Sequence, residues 1–186
     1  MAGTHLSITV DDAQARAMLA RLGEPGTQDL MPRLGEYLQA STKNRFKTQT
    51  KPDGSEWDAL KPSYARRKKY NRDKVLTLRG YLLRGIRYQV ISEDSVAVGT
   101  NSKYGAIHQL GGIINKTSRQ STVRYRSQAG KVLFAGKKHA GATVRQVTIP
   151  AHQVKIEARP FLGISAVDDK EIRSIILDWV VQRSGG

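Results

Sequence analysis

Cysteine is absent from the 186-residue sequence. Disulfide bonds, thiolate metal sites and cysteine nucleophiles are therefore excluded, and a chain that folds without disulfides suits the cytosol. The sequence also lacks an apolar run of the ~20 residues that a membrane helix needs, and its N-terminus lacks the three regions of a signal peptide. We therefore expect a soluble protein, assembled in the cytoplasm, without membrane contact.

Aromatic residues are scarce, at 6% of the sequence, although 39% of all residues are hydrophobic. The core is therefore expected to be mainly aliphatic, with Trp57 and Trp179 as its anchors. A length of 186 residues is typical of one domain that carries at most one long appendage. We predict a single domain over residues 1–186 with a basic insertion at about 115–148.

Acidic residues are missing from positions 101–155, which carry ten lysines and arginines. Residues 61–90 carry ten basic residues and one acidic residue, whereas residues 1–30 carry two basic and four acidic residues. The net charge is +15 and the pI is about 10.3. Two basic zones in an otherwise balanced chain favour a face or loop that meets a polyanion. The alternative is a solvated surface that keeps the protein soluble.

The spacing of hydrophobic residues predicts two long helices. One begins near Asp29 and runs to about Phe46. Pro32 falls in its first turn, where a missing N–H costs little. The other follows a capping box formed by Ser165 and Asp168. The remaining predicted elements are strands at 6–10, 86–91, 95–99 and 147–156, and short helices at 13–22, after Pro62, at 78–83 with Thr77 as cap, and at 104–110.

Residues 115–148 differ from the rest of the chain because they are polar, basic and interrupted by glycine. An insertion of this length inside a compact domain is usually functional or disordered. Residues 123–125 and 132–134 could pair as strands across the segment 128–130. We predict a basic loop or β-hairpin that is mobile in the free protein, because its like charges repel one another.

Six short segments follow one another in a recognisable order. They include Pro-Asp-Gly-Ser-Glu-Trp at 52–57 and Ala-Arg-Pro-Phe-Leu-Gly at 158–163. The six lie at 30–38, 45–62, 76–86, 98–101, 104–112 and 158–163. Their order resembles that of the phage virion morphogenesis (tail completion) family of Mu-like and related tailed phages. Two departures are Lys61, where the family often has Ser or Thr, and Glu157, where it often has Pro.

The resemblance implies an α+β fold in which helices pack on a small antiparallel sheet. It implies a structural virion protein at the head–tail junction, which completes or joins the tail as an oligomeric ring around the DNA path. The expected partners are further copies of the chain in a closed six-fold or twelve-fold ring, neighbouring connector and tail-terminator or tail-tube proteins, and packaged DNA in non-specific contact. The expected location is the neck or tail of the virion.

Three other functions stay open beside this one. The first is a tail-terminator ring at the top of the tail tube, which is a neighbouring role in the same particle. The second is a free nucleic-acid-binding protein without sequence specificity, which would use the positive charge directly. The third is a hydrolase that acts during assembly.

The hydrolase needs a catalytic centre, and the titratable residues do not predict one. A catalytic His108 would need a carboxylate and a nucleophile, which its flanking residues do not offer, so we interpret it as structural. Asp53 lies in a Pro-Asp-Gly turn and is expected to bond its own backbone, while Asp168 and Asp169 suit a helix N-terminus. We therefore predict no enzyme activity, no cofactor and no metal. No two of the four histidines have the i, i+4 spacing of a helical metal pair; they are His5, His108, His139 and His152.

Two groups of residues are predicted to make contacts between molecules. A ring needs two different surfaces that fit each other, and the compact segments 104–112 and 159–162 are candidates, with core packing as the alternative for Phe161. Arg159 is expected to bond a carboxylate or a carbonyl, within or between subunits. The predicted subunit contact comprises Tyr104, His108, Gln109, Arg159 and Phe161. The basic set, predicted to meet DNA in a channel or an acidic partner and to order on assembly, comprises Lys116, Arg119, Arg124, Arg126, Lys131, Lys137, Lys138 and Arg145.

Overall fold

The computed structural model describes residues 4–9, 29–136 and 138–184. The predicted helix at 13–22 and the side chain of Lys137 lie outside these residues. The described chain contains five helices and three small antiparallel sheets, so the predicted α+β class is confirmed. It divides into two compact units, of which the second is the continuous segment Gly112–Ile156 and the first is the remainder.

The first unit is built on a three-stranded antiparallel sheet in the order β1-β3-β2. Helix α1 packs against β2 and β3, and α5 packs against α1. Along β3 every second side chain is buried, as in a sheet with one face covered. The elements of this unit are β1 (Thr4–Thr9), α1 (Leu30–Thr48), α2 (Pro62–Arg67), α3 (Tyr81–Arg84), β2 (Arg87–Ser92), β3 (Ser95–Thr100), α4 (Gly105–Leu110) and α5 (Ala166–Ser184).

Helix α1 covers the sheet with one row of side chains. Leu30, Leu34 and Leu38 follow one another at four-residue spacing, so each lies next to the last along a slowly winding stripe, and these three residues and Phe46 are buried. Gly35 lets this face approach the strands, because a Cβ atom there would lie 2.9 Å from Cγ2 of Val96 and would also meet the ring of Tyr88. The predicted long helix is confirmed.

The core of the first unit consists of two neighbouring clusters of buried side chains. Both predicted tryptophan anchors belong to it, one in each cluster, and that prediction is confirmed. Full burial of one large apolar side chain contributes roughly 1.5–3 kcal/mol. One cluster comprises Leu38, Phe46, Trp57, Val75, Leu82, Ile86, Val98, Phe161 and Leu162, and the other comprises Leu30, Met31, Leu34, Val96 and Trp179.

Helix α5 starts at the predicted capping box. Oγ of Ser165 accepts the backbone N–H of Asp168 at 3.1 Å, and Oδ2 of Asp168 accepts the backbone N–H of Ser165 at 2.7 Å. Two N–H groups that the helix cannot satisfy itself are thereby paired.

The sequence prediction was wrong at the short helix α3, which begins at Tyr81 and not at Leu78. Its N-cap is Gly80, with a φ of 75°, a conformation that glycine adopts without strain. Thr77 is buried, and its hydroxyl has no hydrogen-bond partner among the described residues, so it is not a cap.

The second unit consists of two small antiparallel sheets. The two-stranded sheet consists of β4 (Gly112–Lys116) and β8 (His152–Ile156). The three-stranded sheet has the order β6-β5-β7 and consists of β5 (Arg119–Gln128), β6 (Lys131–Phe134) and β7 (Thr143–Ile149). The unit therefore extends beyond the predicted insertion at 115–148 at both ends. None of its described residues is buried.

The predicted hairpin is present, with strands paired from Tyr125 opposite Phe134 to Gln128 opposite Lys131. The turn residues Ala129 and Gly130 both have positive φ angles. The predicted single strand at 147–156 was wrong, because β7 and β8 are separate strands in different sheets. Pro150 lies between them and has no N–H to offer a ladder.

Candidate functional site

Segments from distant parts of the sequence meet around the side chain of Phe161, which has no exposed surface. The ring of Phe46 lies 5.6 Å from that of Phe161 and 5.2 Å from that of Trp57, measured between centroids. Nε1 of Trp57 donates to the carbonyl oxygen of Pro160 at 2.7 Å. The indole is thus both packed and hydrogen-bonded, and it joins the turn after α1 to the segment before α5.

Gln109 binds the backbone at the same place. Its Oε1 accepts the N–H groups of Phe161 and Leu162, each at 3.0 Å, and its Nε2 donates to the carbonyl oxygen of Leu162 at 2.9 Å. The N–H of Arg159 donates to the carbonyl oxygen of His108 at 2.7 Å. The two segments of the predicted subunit contact therefore bind each other within one chain.

The guanidinium of Arg159 bonds carbonyl groups of its own chain. Nε donates to Asp58 at 2.9 Å, Nη2 to Ala59 at 3.2 Å and Nη1 to Glu157 at 3.5 Å. Only 8% of the residue is exposed. Of the alternatives that the sequence left open for Arg159, carbonyls within the subunit are the partners.

A buried ion pair between Arg45 and Asp168 connects α1 to the start of α5. Arg45 also donates through Nη1 to the carbonyl oxygen of Phe161 at 3.0 Å. The carboxylate further accepts the hydroxyl of Ser165 at 2.7 Å and that of Tyr37 at 3.1 Å. Each oxygen of the carboxylate thus has a donor, which a buried charge requires.

These contacts shift two pKa values. Burial raises the pKa of the Asp168 carboxyl, but hydrogen bonds from Ser41 and Ser165 and the charge of Arg45 outweigh burial, so that the pKa lies below its usual value. Burial, followed by the hydrogen bond to Asp168, raises the pKa of Tyr37 to about 12. The capping role of Asp168 follows from the sequence, whereas its pairing with Arg45 was not predicted. The available signal was a basic residue seven positions after Leu38, on the apolar face of α1.

His108 and Asp53, considered above as catalytic residues, have structural surroundings. Burial and then the charge of Arg159 lower the pKa of His108, and its Nδ1 has no hydrogen-bond partner in the described ranges. A general base is normally oriented by such a partner. Asp53 accepts the backbone N–H of Ser55 at 2.8 Å, which is the predicted turn bond. The described residues contain no group of three or more His, Asp or Glu that could hold a metal ion.

The predicted subunit contact differs strongly in exposure from residue to residue. Phe161 is a core residue and Arg159 is nearly buried, so neither offers a surface to another copy in this conformation. His108 and Gln109 are half-buried, and 42% of Tyr104 is exposed. A contact between copies at this place would therefore be made by the outer side of α4.

The described members of the basic set all lie in the second unit, and its strands separate them. Arg119, Arg124 and Arg126 are on β5, and Arg145 is on β7. Lys116 ends β4, Lys131 begins β6 and Lys138 lies in the connection to β7. Most of them therefore lie on strands of two sheets, and Lys138 lies in the connection between β6 and β7. Their mobility in the free protein stays a prediction.

The sequence pattern of the phage virion morphogenesis family matches residues 10–181. The chain belongs to this family. It is also 28% identical over 153 residues to the protein named "Putative capsid assembly protein G" of Escherichia phage Mu, an alignment that covers 76% of this chain and 97% of the Mu protein. No solved structure matches it.

Family membership confirms the resemblance drawn from the six segments, and it supports an association with the virion. The match runs through both units of this family member, so the basic second unit falls inside it. Among the described helices none is long and apolar enough to cross a membrane.

Proposed function

We propose that this family member is a structural, non-enzymatic protein of the head–tail junction, which completes or joins the tail as a closed ring around the DNA path. The observation that carries the proposal is the family match over residues 10–181, together with the similarity to a Mu protein named for capsid assembly. The match and the similarity support a role in assembly of the phage particle, and we propose in addition the position at the junction and the closed ring.

The geometry around Phe161 supports a structural role. Gln109, Arg159 and Trp57 each bond backbone carbonyl or N–H groups of their own chain. Such contacts lock loop segments in place, and none of these polar groups is left aimed at a substrate. A protein that must keep its shape while it bears load between head and tail is well served by such internal cross-links.

A closed ring needs two unlike surfaces on each subunit that fit together. The outer side of α4 is our candidate for one of them, since 76% of Leu110 and 42% of Tyr104 are exposed there.

The proposal is tested on purified phage particles. Mass spectrometry is expected to find the protein in a small, fixed copy number, and cryo-electron microscopy is expected to locate it between the head connector and the tail. Density at the top of the tail tube would instead favour the tail-terminator role. Presence in the lysate but never in particles would contradict a structural role and favour an assembly factor.

A matched pair of tyrosines tests the α4 surface. Tyr104, the N-cap of α4, and Tyr64, a residue of α2, are 42% and 44% exposed. Tyr104→Ser should lower incorporation into particles, whereas Tyr64→Ser should leave incorporation unchanged. Equal incorporation of both folded variants would exclude this side of α4 from the ring contact.

A further inference from the structure

The three-stranded sheet of the second unit has two chemically different faces. Residues two apart on a strand share a face, and so do residues directly opposite each other on antiparallel strands. Arg124 and Arg126 therefore share a face with Lys131, which lies opposite Gln128. Arg119 and Arg145 lie on the other face, as Arg145 is opposite Val123. The register thus divides the basic set in a way that the sequence did not reveal.

The face with Arg124, Arg126 and Lys131, which we call the basic face, is polar along the central strand. Gln120 and Thr148 exchange hydrogen bonds across it at 3.0 and 3.2 Å. Arg126 donates through Nη1 to Nε2 of His139 at 3.2 Å. The arginines are half-buried and the lysine is exposed, so their charged groups are supported by the sheet and still reach solvent.

No carboxylate of the same unit can neutralise the basic face, because Gly112–Ile156 contains neither aspartate nor glutamate. A surface of one sign attracts counter-ions of the other sign and steers charged partners to it. Arg124 and Arg126 are about 7 Å apart along their strand. One DNA strand carries two phosphates over about the same axial length.

The opposite face carries two cations, Arg119 and Arg145, beside the most exposed apolar side chains of the sheet. It carries Val132 and Phe134, which are 71% and 87% exposed, opposite Ser127 and Tyr125. Val147, opposite Ser121, continues it. Phosphates would lose hydration against these apolar side chains, which offer no hydrogen-bond donor.

We infer that the basic face of this sheet, through Arg124, Arg126 and Lys131, binds the phosphate backbone of duplex DNA without sequence specificity. This inference rests on the proposed function, in which DNA passes through the ring. Arginine forks bind phosphate oxygens in pairs, and contacts to phosphates carry no sequence information. A contact of that kind holds DNA while it lets a genome slide past.

An acidic protein neighbour is the competing partner for the same charges. DNA is favoured because Arg124 and Arg126 lie about 7 Å apart on one strand, which is close to the axial length of two phosphate steps, and Lys131 adds a third cation on the neighbouring strand. A protein partner would also be expected to cover apolar side chains at the centre of its contact. On this sheet the two most exposed apolar side chains, Val132 and Phe134, lie on the opposite face. The basic face carries the less exposed Leu133 and Val144, at 41% and 55%.

Two charge-matched double variants of the full chain provide the test. Arg124→Gln with Arg126→Gln removes two charges from the basic face, and Arg119→Gln with Arg145→Gln removes two from the other face. The probe is a short duplex of mixed sequence, and its affinity is measured over a range of salt concentrations. Loss of two phosphate contacts should lower the slope of log affinity against log salt by about 2. The control double variant should keep the wild-type slope.

Lys131→Gln provides a further substitution at an exposed residue, for which the slope should fall by about 1. Equal slopes for the two double variants, or no duplex binding by the wild-type protein, would overturn the inference. A variant of the basic face that binds duplex normally but fails in particle assembly would indicate an acidic protein partner instead. The proposed function is decided separately, by the copy number in particles, so either idea can fail alone.

Discussion

Among the described residues, the first unit buries fourteen hydrophobic side chains and the second buries none. Both units contain a three-stranded antiparallel sheet with a central strand paired on each side. In the first, helices cover the sheet and close a core. In the second, the faces of the three-stranded sheet carry Phe134, Val132 and several basic residues at the surface. The same pattern of strand pairing therefore occurs once in a sheet that is covered by helices and once in a sheet whose side chains stay at the surface.

This difference in burial suggests that the first unit provides most of the folding stability, whereas the second unit is available for contacts with other molecules. A sheet without a covered face is marginally stable by itself, so the second unit contributes little to the folding free energy. Its residues are correspondingly free to be selected for contacts with other molecules. Buried residues of the first unit, such as Arg45 and Asp168, are already committed to internal partners.

The largest difference in stability is expected between two phenylalanine variants, one in the core of the first unit and one at the surface of the second. Phe161→Ala empties a site in the core and should lower the free energy of unfolding by about 3–5 kcal/mol. Phe134→Ala removes a side chain that is 87% exposed, so the free subunit should change by less than about 0.5 kcal/mol. Urea denaturation of both variants measures the contrast. Similar losses would mean that Phe134 is covered in solution.

A slightly smaller effect is expected from neighbouring aspartates on α5. Asp168→Asn leaves the buried guanidinium of Arg45 without a counter-charge and should cost about 3 kcal/mol. Asp169→Asn is the control, because its pair with Arg173 is exposed and worth about 0.5 kcal/mol or less. Denaturation midpoints at neutral pH provide the comparison. If both variants unfolded alike, the buried pair would not stabilise the junction of α1 and α5.

The fold was largely predictable where hydrophobic spacing is regular. The row from Leu30 to Phe46 and the capping box of α5 depend on neighbours a few residues away, so the sequence shows them directly. Thr77 and Pro150 show where this reasoning failed. The helix begins after Gly80, so that Thr77 is too far from its first turn to act as a cap. Pro150 lies where the chain leaves one sheet for another, and that change depends on tertiary pairing.

The candidate site was only partly predictable, for a similar reason. The segments at 104–112 and 159–162 were identified from the sequence, but their mutual hydrogen bonds through Gln109 place them inside one subunit. The basic set was evident from composition, whereas its division between two faces depends on the register of β5. Register is a long-range property that a count of charges cannot reveal.

Amide hydrogen exchange should differ between β3 and β5, the central strands of the two three-stranded sheets. Both strands are hydrogen-bonded on two sides, but only β3 carries buried side chains. Amides of β3 are expected to exchange only by global unfolding, whereas those of β5 should exchange at least about 100-fold faster through local opening. The measurement is made on the free subunit by mass spectrometry. In assembled particles the β5 amides should become protected. Equal protection in the free subunit would show that the second unit is stable by itself.

The smallest effect concerns the pH dependence that His108 gives to the first unit. Burial and the charge of Arg159 lower its pKa below the usual value of 6.5. As the pH falls below 6.5, the unfolded chain therefore takes up a proton before the folded protein does. This contribution to stability is full above that pH and is lost as the pH falls through the lower, folded-state pKa.

Between the two pKa values of His108 the free energy of unfolding should fall by at most about 1.4 kcal/mol for each pH unit. Urea denaturation of the wild-type protein and of His108→Gln between pH 5 and 8 checks it, because the variant should show the shallower dependence. Parallel curves would mean that the histidine ionises equally well in both states, and that its burial beside Arg159 has no energetic consequence.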